Sequence, residues 1–189
     1  MWITRTIEPI LARLARTRPV VVLTGPRQTG KTSTLRRLFP DHAFVSLDLP
    51  SEAEQAEKDP EAFLQRHPAP VVIDEVQYAP GLFRHLKAAV DLHRTRNGQF
   101  LLTGSQRFTL MRGVSESLAG RAAVVELETL SLAEIRAARP DIALDAAIVS
   151  GGFPELHANP EIDPVSFYSS YVATYLERDV RSLANVGSL

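Results

Sequence analysis

The run Gly25-Pro26-Arg27-Gln28-Thr29-Gly30-Lys31-Thr32 constrains the fold more than any other stretch, because it works only between a buried strand and the first turn of a helix. Val20-Val21-Val22-Leu23 stands before it, and a polar-then-apolar pattern from Thr32 to Leu38 follows. Strand, glycine-rich loop and helix therefore succeed one another in the required order. The two glycines let the backbone wrap a polyphosphate closely, so that successive N–H groups point inward and the helix offers its N-terminus to the anion. Lys31 adds a point charge for the β- and γ-phosphates, and the Thr32 hydroxyl is placed to ligate magnesium. A glycine-rich turn that only ends a strand is the alternative, and the full pattern in this setting argues against it. The expectation is a nucleoside triphosphate site built from Gly25, Pro26, Arg27, Gln28, Thr29, Gly30, Lys31, Thr32 and Ser33.

A chain of 189 residues, 44% hydrophobic, buries roughly 70% of its unfolded surface, enough for an independent core. Its net charge of -1 provides no global basic field to draw it to nucleic acid. Only Lys31, Lys58 and Lys87 are lysines, so arginine carries the positive charge, either as solvated helix faces or as a local basic patch. The absence of cysteine excludes disulfides, thiolate zinc sites and a cysteine nucleophile. Arg5, Glu8, Arg13 and Arg16 interrupt any signal-peptide core, and no apolar run approaches membrane-spanning length. A cytoplasmic protein with no membrane contact is expected.

Strand and helix patterns alternate, the mark of a parallel sheet covered on both faces. Thr6 is placed to cap a first helix with an apolar stripe of Ile7, Ile10, Leu11 and Leu14. Strands are predicted over Val20 to Thr24, His42 to Asp48, Val71 to Asp74, Phe100 to Thr103 and Ala123 to Leu127. Ser51 with Glu54, and Ser131 with Glu134, read as capping boxes, the first opening a polar helix and the second a helix to about Ala138. A further helix is predicted from Pro80 to Arg94. Asp141 to Ser150 reads as helical, Gly151-Gly152-Phe153-Pro154 as a hard break, and Asp163-Pro164 as the cap of a last helix to about Leu183. On that helix Val165, Tyr168, Val172 and Tyr175 share a face. The predicted division is a core over 1–138 and a helical extension over 139–189.

A phosphate loop alone does not separate kinases, GTPases and ATPases. Val71-Val72-Ile73-Asp74-Glu75 is an apolar strand ending in two carboxylates. Asp74 would hold magnesium through the Thr32 shell, and Glu75 would take or orient the proton of an attacking water. Two solvated acids at a strand end are the bland alternative, weakened by the loop upstream. No N-K-x-D motif supports guanine binding, and no L-S-G-G-Q supports a transporter ATPase. A phosphotransferase is harder to exclude. With the fourth strand between the first and third, Ser105 or Gln106 would sense the γ-phosphate or hold the water; a plain turn is the alternative.

These residues together resemble the prokaryotic AAA-type ATPases that usually carry a C-terminal domain of unknown function. The resemblance rests on G-P-R-Q-T-G-K-T, I-D-E-V-Q from Ile73, L-T-G-S-Q from Leu102, S-L-A-G-R from Ser117, G-G-F-P-E from Gly151 and Y-L-E-R-D-V from Tyr175. It implies a three-layer α/β P-loop NTPase with strand order 5-1-4-3-2, a C-terminal helical extension, and ATP with Mg2+ as ligands. It implies also that Arg121, just before the fifth strand, is a finger reaching a neighbouring subunit's γ-phosphate, and so a homo-oligomer. An ion pair within the chain is the alternative for Arg121. Pro154 in G-x-P matches a proline that packs on adenine in related ATPases, against a plain inter-helix loop. Family members continue past the Y-L-E-R-D-V helix, so a C-terminal domain or partner protein is expected beyond Leu189. The function implied is Mg-dependent ATP hydrolysis coupled to conformational change. A nucleotide-gated binding module and a phosphotransferase are the alternatives, and no groove-reading element for nucleic acid is evident.

Overall fold

Strands that are apolar up to their last residues are driven between two layers of helix, and three strands here are buried along their whole length: β1 (Val20–Thr24), β3 (Val71–Asp74) and β4 (Phe100–Gly104). With β2 (Ala43–Ser46) and β5 (Ala122–Glu126) at the edges they form a five-stranded parallel sheet ordered β2-β3-β4-β1-β5. This is the expected order, 5-1-4-3-2, read from the other edge. The computed structural model describes residues 2–105 and 107–176.

Alternate strand residues point to opposite faces, and two cores follow. Val20, Val22, Ile73 and Leu102 join Leu82, Leu86 and Val90 of α5 (Leu82–Leu92) and Leu110 and Val114 of α6 (Arg107–Ser117). Phe63 of α4 (Pro60–Arg66) and Ala56 of α3 (Pro50–Lys58) complete that layer. On the other face Val21, Leu23, Val72 and Leu101 meet Leu11 and Ala15 of α1 (Glu8–Thr17) and Leu35 of α2 (Lys31–Leu38). The register sets Thr24 beside Gly104 and Glu126, and Ser46 beside Asp74, so the C-terminal strand ends that carry polar side chains lie together at one end of the sheet.

Several local expectations fail for identifiable reasons. Thr6 does not cap α1; Ile7 is the N-cap residue without a side-chain bond, and Pro9 sets the first turn. Ile10 is 42% exposed, and Ala15 fills the stripe instead. Ser51 forms no capping box, because Pro50 already occupies the first turn of α3 behind Leu49. That polar helix ends at Asp59, whose carboxylate accepts from Ala62 N and starts α4. β2 is shorter than His42 to Asp48, and β5 begins one residue early. The one-turn 3-10 helix Val76–Tyr78 and α6 lie where the sequence suggested no element.

Internal contacts divide the chain into two compact units, one of residues Arg5–Glu128 and another joining residues 2–4 to those from Thr129 onward. α7 (Leu132–Ala138) lies in the second of these units, where Leu130 and Ile135 pack with Ile3, Ala138 and Ile142. The Ser131–Glu134 capping box is present. α8 (Leu144–Ser150) starts later than Asp141, α9 (Pro154–Ala158) is an extra turn, and Asp163 caps α10 (Pro164–Tyr171) as expected, with a π-helical turn over Val172–Leu176. The expected apolar face is displaced: Val165 and Val172 are 70% and 47% exposed. Phe167, Tyr168 and Tyr171 surround Phe153 instead, at centroid distances of 5.3, 5.8 and 4.7 Å. Aromatic rings bury more area than valine and take the inner face. The Tyr175 side chain and the helix beyond 176 fall outside the described residues.

Gly151 has φ +64°, and a Cβ there would stand 2.0 Å from the Tyr168 hydroxyl, which donates to Ser150 O at 3.0 Å. Gly151→Ala is therefore expected to destabilise this unit by about 1–3 kcal/mol. Hydrogen exchange over 129–171 would measure it, and unchanged protection would refute it. Among the described residues no helix is long and apolar enough to cross a membrane.

Candidate functional site

The loop between β1 and α2 owes its course to backbone freedom at two positions. Gly25 has φ +140°, and a Cβ there would meet the carbonyl oxygen of Leu127 at 2.2 Å, so the loop leaves β1 against the exit of β5. Gly30, at φ 89° and ψ 22°, turns the chain into α2 as its N-cap. Between them Gln28 also adopts a left-handed conformation, at φ 61°. Thr29 is fully buried and donates from Oγ1 to Pro26 O at 3.0 Å. Ser33 stands exposed on the first turn of α2. Arg27 donates from Nη2 to the Tyr78 hydroxyl at 3.4 Å.

Lys31 is 5% exposed and donates from Nζ to Gly25 O at 3.0 Å and Pro26 O at 2.7 Å. Burial holds its pKa below the ordinary lysine value; Glu75 and Asp74 oppose that shift, and Arg27 adds to it. The ammonium thus sits inside the loop, facing two acids, in a place where a bound anion would favour its charged form.

Asp74 closes β3, 7% exposed, and gathers hydroxyls from three elements. Thr32 Oγ1 of α2 and Thr103 Oγ1 of β4 each donate to Oδ1 at 2.5 Å, and Ser46 Oγ of β2 donates to Oδ2 at 3.1 Å. Glu75 follows in a left-handed conformation, φ 53° and ψ 44°, with its N–H donating to Thr103 Oγ1 at 3.1 Å. Ser105 Oγ donates to its Oε2 at 2.9 Å, and Gln77 Nε2 donates to the same oxygen. A left-handed non-glycine residue stores about 1–2 kcal/mol, strain that persists only where surroundings enforce it and that often marks a working site.

The fold thus unites Lys31, Thr32, Asp74, Glu75 and Ser105. Arg121 is elsewhere: its carbonyl accepts from Val20 N at 3.4 Å, at the opposite ends of β1 and β5 from the loop. Its guanidinium grips Asp91 of α5 in two bonds, Nε to Oδ1 at 2.8 Å and Nη2 to Oδ2 at 2.9 Å. The hydrogen bonds between them raise the arginine pKa and lower the carboxyl pKa. Pro154 opens α9 in the other compact unit, and Gln106 lies outside the described residues. Sequence reasoning missed Ser46, Thr103 and Gln77 as site residues. The available signal was a polar side chain at the end of an apolar strand; for Gln77, 4% exposed in the turn after β3, the sequence offered only its place two residues beyond Glu75.

Thr32 and Asp74 offer one hydroxyl and one carboxylate, both hard oxygen donors. That set suits Mg2+, which keeps most of its shell as water and phosphate oxygens. Among the described residues no group of three or more His, Asp or Glu could hold a metal without such help.

A parallel sheet in this order, with a glycine loop leading from β1 into α2 and a buried carboxylate closing β3, has the P-loop ATPase fold. The chain belongs to a family of AAA domains, whose model matches residues 17–136. Uncharacterised proteins of Mycobacterium tuberculosis and Mycobacterium bovis are each 36% identical over 178 residues, covering 92% of this chain. The chain spans 38% of the length of these relatives. Among solved structures, the Walker-type ATPase PABY2304 of Pyrococcus abyssi superposes with a TM-score of 0.62 at 17% identity, covering 99% of this chain and 77% of that one. AMPPCP-bound DnaA of Aquifex aeolicus does so at 0.57 and 16%, covering 95% and 64%. At such identities the likeness is one of fold.

Proposed function

We propose that this chain is the ATPase module of an AAA-type protein, binding Mg-ATP, hydrolysing it slowly and passing the conformational change to a further domain or a partner. The observation that carries this reading is the hydrogen-bonded set Thr32–Asp74–Thr103–Glu75–Ser105 beside the buried Lys31. Backbone N–H groups of Gly25 to Ser33 cradle the phosphates, and Lys31 neutralises charge between the β and γ groups. Thr32 and Asp74 would hold magnesium, which would supply positive charge where the leaving oxygen develops negative charge. Ser105 and Gln77 both occupy Oε2 of Glu75, leaving Oε1 to accept the proton of the attacking water. The AMPPCP in the DnaA neighbour supports an adenine nucleotide.

Calorimetric titration with Mg-ATP, followed by a phosphate-release assay, tests the reading. No binding would overturn it. Binding without turnover at any protein concentration would favour a nucleotide-gated switch, and label in a product other than phosphate would favour a phosphotransferase. The proposed setting is the cytoplasm, where ATP is supplied, and 1–138 is the proposed catalytic core.

Arg121 acting as a finger would exchange Asp91 for a neighbouring subunit's γ-phosphate, an interaction worth about a thousandfold or more in rate where it operates. Specific activity should then rise with protein concentration. Mixing Arg121→Ala with Glu75→Gln should restore turnover, since each subunit supplies what the other lacks. Activity independent of concentration, without rescue, would assign Arg121 to its bond with Asp91 alone. For Pro154, packing on adenine predicts that Pro154→Ala weakens ATP and leaves inorganic tripolyphosphate unaffected; equal effects on both would reject it.

A further inference from the structure

We infer that Arg5 is a positioning residue that holds the Thr29–Gly30 peptide of the phosphate loop in its anion-binding orientation and ties it to the chain segment leaving the Arg5–Glu128 unit. This deepens the proposed nucleotide site and rests on that reading. Arg5 enters α1 with its N–H bonded to Glu8 Oε1 at 2.8 Å. Its side chain is buried, at 5% exposure. Nη1 donates to Thr29 O at 2.8 Å and Nη2 to Glu128 O at 2.7 Å. One fork therefore clamps two backbone carbonyls that lie 99 residues apart in the chain (128 less 29).

A trans peptide is planar, so its N–H points away from its C=O. Drawing the Thr29 carbonyl toward Arg5 turns the Gly30 N–H to the opposite side. Gly30 has φ +89° and open space where a side chain would be, so the residue itself does little to resist rotation of this peptide. A rotated peptide would present a carbonyl oxygen where an anion needs a donor. Arg5 supplies the missing restraint through charge-assisted bonds, and its planar fork engages two carbonyls at once where a lysine would hold fewer. Its second target, Glu128, is the last residue of the compact unit Arg5–Glu128. A shift of the loop on phosphate binding is thereby transmitted to the backbone just ahead of Thr129.

The test uses the full chain and inorganic tripolyphosphate with Mg2+ as probe, which isolates the loop from any adenine contact. Arg5→Met and Arg5→Lys should remain folded and bind the probe about tenfold to a hundredfold more weakly than the parent, Lys losing less than Met. The Gly30 amide resonance should shift in the free variants, a change that loss of general stability does not produce. Probe-induced changes in hydrogen exchange at 129–138 should disappear. If Arg5→Met does not fold, Arg5→Lys decides. Folded variants that bind within twofold of the parent, with an unmoved Gly30 resonance, would overturn the inference. A parent that binds neither tripolyphosphate nor ATP would instead remove the nucleotide site itself.

Discussion

Glu75→Gln is expected to bind Mg-ATP as the parent does and to hydrolyse it about a hundred to ten thousand times more slowly. The amide oxygen can still accept from Ser105 and Gln77, which now converge on Oε2. The backbone bond from residue 75 to Thr103 is unaffected, so the left-handed turn should persist. What changes is the atom facing the water, from a proton acceptor to an NH2 donor. Single-turnover phosphate release with saturating nucleotide reads the chemical step directly. Hydrolysis at the parent rate would remove Glu75 from the reaction and leave it as a structural turn.

Lys31→Ala should weaken Mg-ATP affinity by about a hundredfold or more, the loss expected when a charge-assisted phosphate contact is deleted in a water-poor site. The fold should survive, because the ammonium contributes little net stability where it is buried. Its pKa lies below the ordinary value of 10.5, chiefly through burial. Between the folded pKa and 10.5 the unfolded chain binds the extra proton and the folded chain does not, so stability rises with pH across that alkaline window. The parent should accordingly gain stability relative to Lys31→Ala as pH rises from the folded pKa toward 10.5, whereas below the folded pKa it carries the full burial penalty. Paired melting curves from neutral to alkaline pH would show this. A parent advantage that shrinks with rising pH would contradict the account, and unchanged nucleotide affinity in the folded variant would reject Lys31 as a phosphate ligand.

The legible parts of the molecule are those whose geometry a contiguous stretch dictates. Val20 to Thr32 contains strand, loop and helix start in a single run, and β3 announces itself by four buried residues ending in a carboxylate. The site's supporting hydroxyls are not contiguous with anything they support. Thr103 reaches Asp74 because β4 pairs beside β3 with Ile73 opposite Leu102, a register that no local pattern contains. Ser46 depends likewise on β2 lying beside β3. Arg5 read only as a charge interrupting an apolar N-terminus, although its target carbonyls lie in the loop and after β5. Capping failed where proline intervened: Pro9 and Pro50 set the first turns of α1 and α3, displacing the hydroxyls that looked like caps. The stripe on α10 failed because periodicity marks several faces, and Phe153, distant in sequence, chose the aromatic one.

The collision waiting at Gly25 bears on how any collection of loop variants is interpreted. Both glycines of the phosphate loop would score as intolerant in a screen for nucleotide binding, yet for unlike reasons. A methyl group at position 30 meets no protein atom within 4 Å, so its penalty is conformational, together with whatever a bound phosphate adds. A methyl group at position 25 strikes the main chain of Leu127, and an inflexible backbone must yield before any ligand arrives. A Gly25 variant devoid of nucleotide binding is thus a report on the seam between β1 and β5, and counting it as a phosphate-contact mutant would misassign a wedge in the sheet to the chemistry of the ligand.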